Sequence, residues 1–460
     1  MKEEIRKFIL KNSESLRELA NKIWLYPENS GEEFYAVEEQ VKLLKTHGFT
    51  VHTIDNCPTA IVAEYGDAGP SIGFIGEYDA LPALSQQVCA SRCPLESVYY
   101  GHGCGHNLIA AGSIGATIAL KDRVAAEKLN CRVRYYGCPA EENMRGKSLM
   151  LKAGVFSDLD FCLAWHPFDV NKVFEAPTLA IVEFEFIFHG TSSHAAVAPH
   201  LGRSALDGVE LMNTGVNYLR EHIIEQARIH YIITNGGLKP NVVPDEAASL
   251  YQIRAPRADQ VIGISERVLD IARGAALMSG TKLEYRFRSG VYDYMANPVM
   301  DRVLMNNFKA AKFPEPEPDE MQLFTELSKG MPDKQKSESC RKYAVQPYNF
   351  ASSPLMRHVD EMPWRHMILP GSTDLGDVSR VVPTSKLMSA AWVLGTANHT
   401  WQATACSGTR YAADIAMMSG SVLAESAYDI LMDKELQSHI IDVFRQQNDG
   451  VGYRPLDSMF

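Results

Sequence analysis

Apolar residues recur at helical spacing near both ends of the chain and form short continuous runs between them. Residues 3–25 predict an amphipathic helix with a break near residues 12–13, and a long helix is predicted over about 411–432. Ser30 and Glu33 have the spacing of a capping box, which predicts that a helix begins there. Nearly continuous apolar runs predict buried strands at 60–65, 71–78, 131–138 and 160–165. Strands of this kind alternating with helices indicate an α/β domain.

Ionisable side chains follow three of these predicted strands at the point where each strand ends. Glu77-Tyr78-Asp79 closes one strand, Glu141-Glu142 follows the next, and His166 follows the third. Ligands of open α/β sheets bind just outside the carboxyl ends of the strands. We therefore expect Asp79, Glu141, Glu142 and His166 to converge on one crevice.

The middle of the chain has a different pattern. Residues 182–188 alternate between apolar and polar side chains, as in a half-exposed strand. The elements that follow are a helix, two strands, a helix and a strand, at 204–222, 229–233, 248–253, 260–278 and 282–288. The order β-α-β-β-α-β is that of a split ferredoxin-like unit. We expect an inserted domain at 180–292, with a sheet face free for a dimer contact, and a discontinuous domain formed by 1–179 and 293–460.

Composition excludes several classes of partner. The net charge is -11, and no cluster of lysine or arginine provides a nucleic-acid surface. No apolar run is long enough to span a bilayer, and the mixed-charge start of the chain is not that of a signal peptide. The nine cysteines have no repeated spacing, which favours a reducing compartment, so we expect a cytoplasmic protein. The proline-rich residues 314–350 predict an irregular segment, and no motif surrounds His366.

The stretch Gly101-His102-Gly103-Cys104-Gly105-His106-Asn107 places a thiol and two imidazoles within seven residues. Thiolate and imidazole suit zinc, iron, cobalt or nickel, and manganese less readily. The apolar run 108–120 predicts a buried helix, whose N-terminus would help to hold Cys104 as a thiolate. The alternative interpretation is a glycine-rich turn that merely contains these residues.

Several motifs occur along nearly the whole chain in a characteristic order. They are Gly76-Glu77-Tyr78-Asp79-Ala80-Leu81-Pro82, Gly103-Cys104-Gly105-His106-Asn107, Pro139-Ala140-Glu141-Glu142, Trp165-His166-Pro167, Thr191-Ser192-Ser193-His194-Ala195-Ala196, Asn241-Val242-Val243-Pro244-Asp245 and Asn398-His399-Thr400-Trp401-Gln402. In this order the set resembles the binuclear metallo-amidohydrolases, the family of aminoacylases, carboxypeptidase G and the indole-acetyl-amino-acid hydrolases. The resemblance implies a zinc-peptidase-like catalytic domain, with a mixed sheet flanked by helices, and an inserted ferredoxin-like lid or dimerisation domain.

The resemblance also implies two divalent metal ions, Mn²⁺ or Zn²⁺, and a set of ligands for them. His106 and His166 would hold one ion, and Glu142 and His399 would hold the other. Cys104 would bridge the two ions through its sulfur.

By the same resemblance, Glu141 would be the general base that takes a proton from a metal-bound water, which then attacks an amide carbonyl. His194 would donate to the oxyanion in the active site of a partner subunit. Asn241 and Arg254 would hold the carboxylate or carbonyl of the substrate. Many relatives have His-x-Asp where this chain has Glu77-Tyr78-Asp79, so we assign Asp79 to the orientation of a ligand.

The implied reaction is the hydrolysis of an amide bond in an N-acyl or aryl-acyl amino acid or a dipeptide, with p-aminobenzoyl-glutamate or a related folate fragment as the first expectation. We expect a homodimer through 180–292, and the resemblance leaves room for a second, different subunit. Two other classes stay open: a thiol hydrolase with Cys104 as nucleophile and His106 as base, and a non-catalytic metal-binding relative. The sequence assigns no role to Glu77, His102 or Asp374.

Overall fold

A computed structural model describes residues 2–346, 353–364, 367–448 and 452–460, and the chain divides into two units. The first unit comprises Met1–Ala176, Met295–Met367 and Val378–Tyr453. The second comprises Pro177–Tyr294, Ile368–Asp377 and Arg454–Phe460. The expected inserted segment, 180–292, lies within the second unit. That unit also takes in two short later segments that the sequence assigned to the first domain.

The strands, in chain order, are β1 (Thr50–Ile54), β2 (Cys57–Tyr65), β3 (Ser71–Glu77), β4 (Leu81–Pro82), β5 (Tyr100–Gly101), β6 (Arg132–Cys138), β7 (Phe161–Phe168), β8 (Lys172–Val173), β9 (Ala180–His189), β10 (Arg228–Asn235), β11 (Glu246–Ala255), β12 (Lys282–Val291) and β13 (Thr384–Ala390). The α-helices are α1 (Lys2–Lys11), α2 (Ser13–Leu25), α3 (Phe34–Thr46), α4 (His106–Glu127), α5 (Gly146–Lys152), α6 (Ala205–Leu219), α7 (Ala258–Ser279), α8 (Pro298–Lys309), α9 (Pro318–Lys329), α10 (Asp333–Lys342), α11 (Leu375–Ser379), α12 (Trp401–Ser407), α13 (Arg410–Met432) and α14 (Lys434–Gln447).

The first unit is built around a mixed sheet with the strand order β1-β2-β6-β3-β7-β13-β8. The strands β6, β3, β7 and β13 run parallel to their neighbours within this central group. Every residue of β3, β7 and β13 is buried, as expected of central strands covered by helices on both faces. The expected α/β architecture is therefore confirmed.

Helix α4 is the central helix of the first unit. Every residue from His106 to Leu120 is buried, so this helix has no solvent-facing side along that length. A Cβ atom at Gly420 of α13 would lie 2.5 Å from the carbonyl oxygen of Gly112, so the two helices approach closely there. This packing holds the start of α4, and with it His106, in a fixed place.

The second unit has an antiparallel sheet with the strand order β10-β11-β9-β12. In chain order its elements are β9, α6, β10, β11, α7 and β12, which is the split ferredoxin-like pattern that the sequence predicts. Inward-facing phenylalanines of β9 pack with apolar residues of α6 and α7 in a separate core.

Two local expectations are wrong. Helix α3 begins after Glu33, and its N-cap residue makes no side-chain capping bond, so Ser30 and Glu33 do not form a capping box. The segment 314–350 is not irregular throughout, since α9 and α10 lie within it. Its last residues, 347–350, and His366 lie outside the described residues. Among the helices of the described ranges, none combines the length and the apolar character that crossing a membrane requires.

Candidate metal centre

The parallel strands bring the predicted ionisable residues to one edge of the sheet. Glu77, the last residue of β3, pairs with Cys138, the last residue of β6. Strand β7 extends three residues further than the sequence suggests, so His166 lies within it rather than after it. Strand ends in register, as here, are where α/β sheets bind ligands.

Cys104 and His166 face each other in a buried position. The Cys104 sulfur lies 3.4 Å from Nε2 of His166. Nδ1 of His166 donates to the carbonyl oxygen of Pro167 at 2.7 Å, so the proton of a neutral ring resides on Nδ1 and Nε2 has a free lone pair. Burial, reinforced by Lys386, holds the pKa of His166 well below its usual range. The imidazole is therefore neutral, as a metal ligand must be.

His106 is fixed by Asp79. Nδ1 of His106 and Oδ1 of Asp79 are 2.8 Å apart, and both side chains are fully buried. The other oxygen of Asp79 accepts hydrogen bonds from the Ser30 hydroxyl at 2.8 Å and from the backbone N–H of Glu142 at 3.0 Å. A carboxylate with this set of partners orients the imidazole so that Nε2 points away from Asp79.

Three carboxylates surround Nε2 of His106. The nearest oxygens of Glu77, Glu142 and Glu141 lie 3.7, 3.9 and 4.0 Å from it. In the described part of the chain, His106 Nε2 and Glu142 Oε1 are buried atoms with no hydrogen-bond partner. Buried polar atoms without partners are costly, and a cation between them would satisfy both.

His399 closes the other side of the cluster. Its Nε2 lies 3.3 Å from Oε2 of Glu142, and its backbone N–H donates to the carbonyl oxygen of Gly103 at 2.9 Å. The backbone of His399 is left-handed, with φ at 61°, a conformation that non-glycine residues adopt at a cost. Hydrogen bonding to Cys104 and to Glu142 raises the pKa of His399 to about 11. The pocket therefore favours positive charge.

Three overlapping groups in the described residues have the composition and spacing of a metal site, with ligand atoms within 4.8 Å of one another in each. They are Cys104 with His106 and His166, Cys104 with Glu142 and His399, and Glu77 with His106 and Glu141. The first two groups share the Cys104 sulfur and contain the five residues that the sequence assigned as ligands. Thiolate, imidazole and carboxylate together form a donor set that suits a pair of divalent ions.

Glycines allow the Cys104 turn to pack closely. A Cβ atom at Gly103 would lie 2.6 Å from Leu84, and one at Gly105 would lie 2.6 Å from the Pro167 ring. Gly105 also has a left-handed backbone, with φ at 72°, immediately before α4 begins. A side chain at either position would displace Cys104 from His166.

Lys147 is a neighbour of this cluster that sequence reasoning missed. Its Nζ lies 2.7 Å from Oε1 of Glu77, and the two side chains are 0% and 5% exposed. Burial on its own raises the pKa of Glu77, but Lys147 and then His106 hold that pKa below its usual range. No local signal in the sequence pairs these two residues, since they come from different elements.

His102 lies outside the cluster. Its Nε2 donates to the carbonyl oxygen of Ile23 in α2 at 3.0 Å, and burial lowers the pKa of His102 to about 3. A neutral, buried imidazole bonded to a helix carbonyl ties α2 to the Cys104 turn.

The remaining predicted site residues belong to the second unit. His194 lies in an exposed turn bridged to Val242, and Ala195 donates its N–H to the carbonyl oxygen of Asn241 at 3.0 Å. Arg254 lies near the far end of β11, where its guanidinium donates to the Ser372 hydroxyl at 3.2 Å. His194 and Asn241 are thus neighbours, and Arg254 is separated from them by the length of a strand. Asp374 is fully buried in the same unit.

A family model described as a peptidase dimerisation domain matches residues 180–277. The chain belongs to the M20 family of peptidases and amidohydrolases, and it is therefore an enzyme that hydrolyses amide bonds. It is 36% identical to one of the two subunits of p-aminobenzoyl-glutamate hydrolase from Escherichia coli K12, over 98% of this chain and 97% of that protein. The resemblance found in the motifs is confirmed.

Two further similarities extend the comparison. The Xaa-Arg dipeptidase of Mus musculus is 29% identical over 94% of this chain and 89% of that protein. A dinuclear metal binding peptidase of the M20 family from Bacillus subtilis has the same fold, with a TM-score of 0.56 and 18% identity, over 93% of this chain and 99% of that structure.

Proposed function

We propose that this enzyme binds two divalent metal ions in the first unit and uses them to hydrolyse an amide bond. Cys104, His106 and His166 would hold one ion, and Cys104, Glu142 and His399 the other. The observation that carries the proposal is the pair of ligand groups joined at the Cys104 sulfur, in which buried His106 Nε2 and Glu142 Oε1 have no hydrogen-bond partner among the described residues. Zinc suits the sulfur ligand, and manganese is the second candidate.

The chain's own residues define the proton path. When bound, the two cations would polarise the amide carbonyl and make a nearby water more acidic. Glu141, whose carboxylate lies 4.0 Å from His106, is the general base that accepts the proton of the attacking water. It then returns this proton to the nitrogen of the leaving amine. Asp79 keeps Nδ1 of His106 protonated throughout, so that Nε2 stays available.

The second unit supplies substrate contacts, and its geometry favours a homodimer. Glu246 and Ala255 are the two ends of β11, and Asn241 precedes one end while Arg254 lies at the other. Nine strand steps span about 30 Å, whereas a dipeptide-sized substrate is about 7 Å long. Asn241 and Arg254 of one protomer therefore act on different substrate molecules. We assign His194 and Asn241 to the active site of the partner subunit, with His194 donating to the oxyanion.

The proposed substrate is p-aminobenzoyl-glutamate or a closely related aryl-acyl amino acid. The similarity to the Escherichia coli hydrolase, over almost the whole of both chains, supports this choice. Arg254 supports it as well, because its hydrogen bonds go to Ser372 and Gln252 and no ion pair to a carboxylate is found for it among the described residues. A guanidinium in that state is suited to bind the carboxylate of an amino-acid product.

The test is a substrate panel on metal-stripped enzyme reloaded with Zn²⁺ or Mn²⁺, with Glu141→Gln as the blank. The panel contains p-aminobenzoyl-glutamate, an N-acetyl amino acid, indole-acetyl-aspartate and a dipeptide ending in arginine. We expect p-aminobenzoyl-glutamate to have the highest kcat/KM. A higher value for the dipeptide would favour the second candidate function, that of the Xaa-Arg dipeptidases. Turnover by the stripped enzyme would contradict the two-metal proposal.

Two further expectations accompany this proposal. All nine cysteines are thiols rather than disulfides, which supports a reducing compartment such as the cytoplasm. The Escherichia coli relative is named as one of two different subunits of its hydrolase, which supports a search for a second, different subunit during purification.

A further inference from the structure

The ion pair between Glu77 and Lys147 is buried at the edge of the candidate metal centre. Glu77 ends β3, and Lys147 lies in the first turn of α5. Their side chains are 5% and 0% exposed, and the Nζ–Oε1 distance is 2.7 Å. Burial of two charges costs several kcal/mol per ion before their attraction offsets it, and an apolar pair of similar volume is often as stable. The presence of this pair therefore calls for a role besides stability.

The two oxygens of Glu77 face different partners. Oε1 accepts from Lys147, and Oε2 lies 3.7 Å from Nε2 of His106. Two ligands bound to one ion at about 2.1 Å, with a tetrahedral angle between them, lie about 3.4 Å apart. The Glu77–His106 separation is close to that value, and His106 Nε2 has no hydrogen-bond partner among the described residues. Glu77 Oε2 is therefore placed to share a cation with His106.

We propose that Glu77 is an additional oxygen ligand of the ion held by Cys104, His106 and His166, and that Lys147 is the counter-charge that positions Glu77. This inference rests on the proposed two-metal function and adds a residue that the family-derived ligand set does not contain. It also explains the third candidate group, Glu77 with His106 and Glu141.

Electrostatics give the two partners opposite effects on metal affinity. Removal of the Glu77 charge takes away a ligand and leaves Lys147 to repel the cation, so affinity falls. Removal of the Lys147 charge leaves a buried carboxylate without its counter-ion in the metal-free protein, and a bound cation would compensate it. The metal-free state is then destabilised more than the bound state, so affinity rises. A purely structural ion pair would destabilise both states equally and leave affinity unchanged.

The experiment is a competition titration of metal-stripped full-length protein with Zn²⁺ against a chelator of known affinity. For Glu77→Gln we expect the affinity of one of the two ions to fall about tenfold or more. For Lys147→Met we expect the affinity of the same ion to rise, and for Lys147→Arg, which keeps the charge, we expect little change. The matched control is Lys172→Met, because Lys172 forms another buried pair, with Asp360 at 3.0 Å and both side chains 2% exposed. It should leave both affinities unchanged.

A second measurement keeps the test valid if Lys147→Met folds poorly without metal. The visible absorption of Co²⁺-loaded protein reports the number and type of ligands, and Glu77→Gln should change the spectrum of one site only. Unchanged affinity and spectrum in Glu77→Gln, or affinity shifts of the same sign in Glu77→Gln and Lys147→Met, would overturn this inference alone. Failure of the wild-type protein to bind two ions would instead overturn the proposed function.

Discussion

Asp79 holds His106 through a hydrogen bond of 2.8 Å between Oδ1 and Nδ1, and both side chains are fully buried. This contact determines which ring nitrogen of His106 faces the three carboxylates. An amide at position 79 could present its NH₂ group to Nδ1 and reverse the tautomer of the ring. The orientation of a metal ligand therefore depends on a residue that need not touch the metal.

We predict that Asp79→Asn lowers the metal affinity of the His106 site by about 10- to 100-fold, as is typical when a partner of a ligating histidine is changed. Chelator competition on the stripped protein measures the effect. Ser30→Ala is the control, since it removes the 2.8 Å hydrogen bond to the other oxygen of Asp79 and leaves His106 in place. Equal losses in both variants would contradict a tautomer-specific role.

The adjacent residues Glu141 and Glu142 should separate chemistry from metal binding. Glu141→Gln removes the proposed base, and we expect kcat to fall about 10²- to 10⁴-fold with two metal ions still bound. Glu142→Gln should instead lose the ion shared with His399, whose Nε2 lies 3.3 Å from Glu142. Metal content by elemental analysis, measured beside kcat for each variant, distinguishes the two roles. Full activity of Glu141→Gln would exclude it as the base.

Bound metal should protect Cys104 from alkylation. A sulfur that bridges two ions has no free lone pair for iodoacetamide, whereas a nucleophilic thiolate reacts whether or not metal is present. We expect mass spectrometry to find Cys104 modified only in the stripped protein. Cys406, which is fully buried and whose pKa burial raises to about 12, is the internal control and should stay unmodified in both. Modification of Cys104 in the loaded enzyme, with loss of activity, would favour the thiol hydrolase.

Much of this centre follows from sequence pattern alone, because a buried strand with a carboxylate or imidazole at its end has few places to be. The strand ends at Glu77, Cys138 and Phe168 come together as the parallel sheet requires. The side chains at 30 and 33 show where local patterns fail. Ser30 donates to Asp79, and the Glu33 carboxylate accepts from the backbone of Gly31 and Ala140, so tertiary partners replaced the predicted cap.

Helix α9 shows a signal that the sequence did contain. Pro318 stands at the first helical turn, and Glu317 and Glu320 form a reciprocal capping box, a combination that starts helices. The prolines that suggested irregular structure therefore mark a helix start. The pairing of Glu77 with Lys147 had no comparable signal, because no spacing rule connects a strand end with a helix 70 positions later.

Glu33 should make the metal-free protein less stable as the pH rises. Burial and the nearby charge of Asp79 raise the pKa of Glu33 from 4.5 to about 7, so the folded state keeps a proton that the unfolded chain releases. The stability from this group is fully present below pH 4.5 and is lost as the pH rises to about 7, a loss of about 3 kcal/mol. Glu33→Gln should remove that loss in urea unfolding curves measured from pH 4.5 to 8.

The exposed neighbour Glu32 provides the control for this prediction. Glu32→Gln should leave the pH dependence of the free energy of unfolding as it is in the wild type. Parallel curves for wild type and Glu33→Gln would show that Glu33 ionises normally in the folded state.

Mixed dimers should reveal whether His194 acts across subunits. Neither Glu141→Gln nor His194→Ala is expected to be active alone. After random exchange of subunits, half of the dimers contain one of each, and one site in each such dimer has an intact Glu141 and a partner's intact His194. Activity should recover to roughly a quarter of the wild-type value. No recovery, with mixed dimers demonstrated by mass, would place His194 in the active site of its own subunit.

All the proposed metal ligands lie in the first unit, whereas Arg254, Asn241 and His194 belong to the second. Substitutions in the ferredoxin-like unit can therefore alter the choice of substrate while the ligands that hold the ions stay intact. This division of labour gives evolution two nearly independent settings, one for bond cleavage and one for what is cleaved. An engineer seeking a new specificity would mutate the second unit and leave the sheet edge of the first untouched.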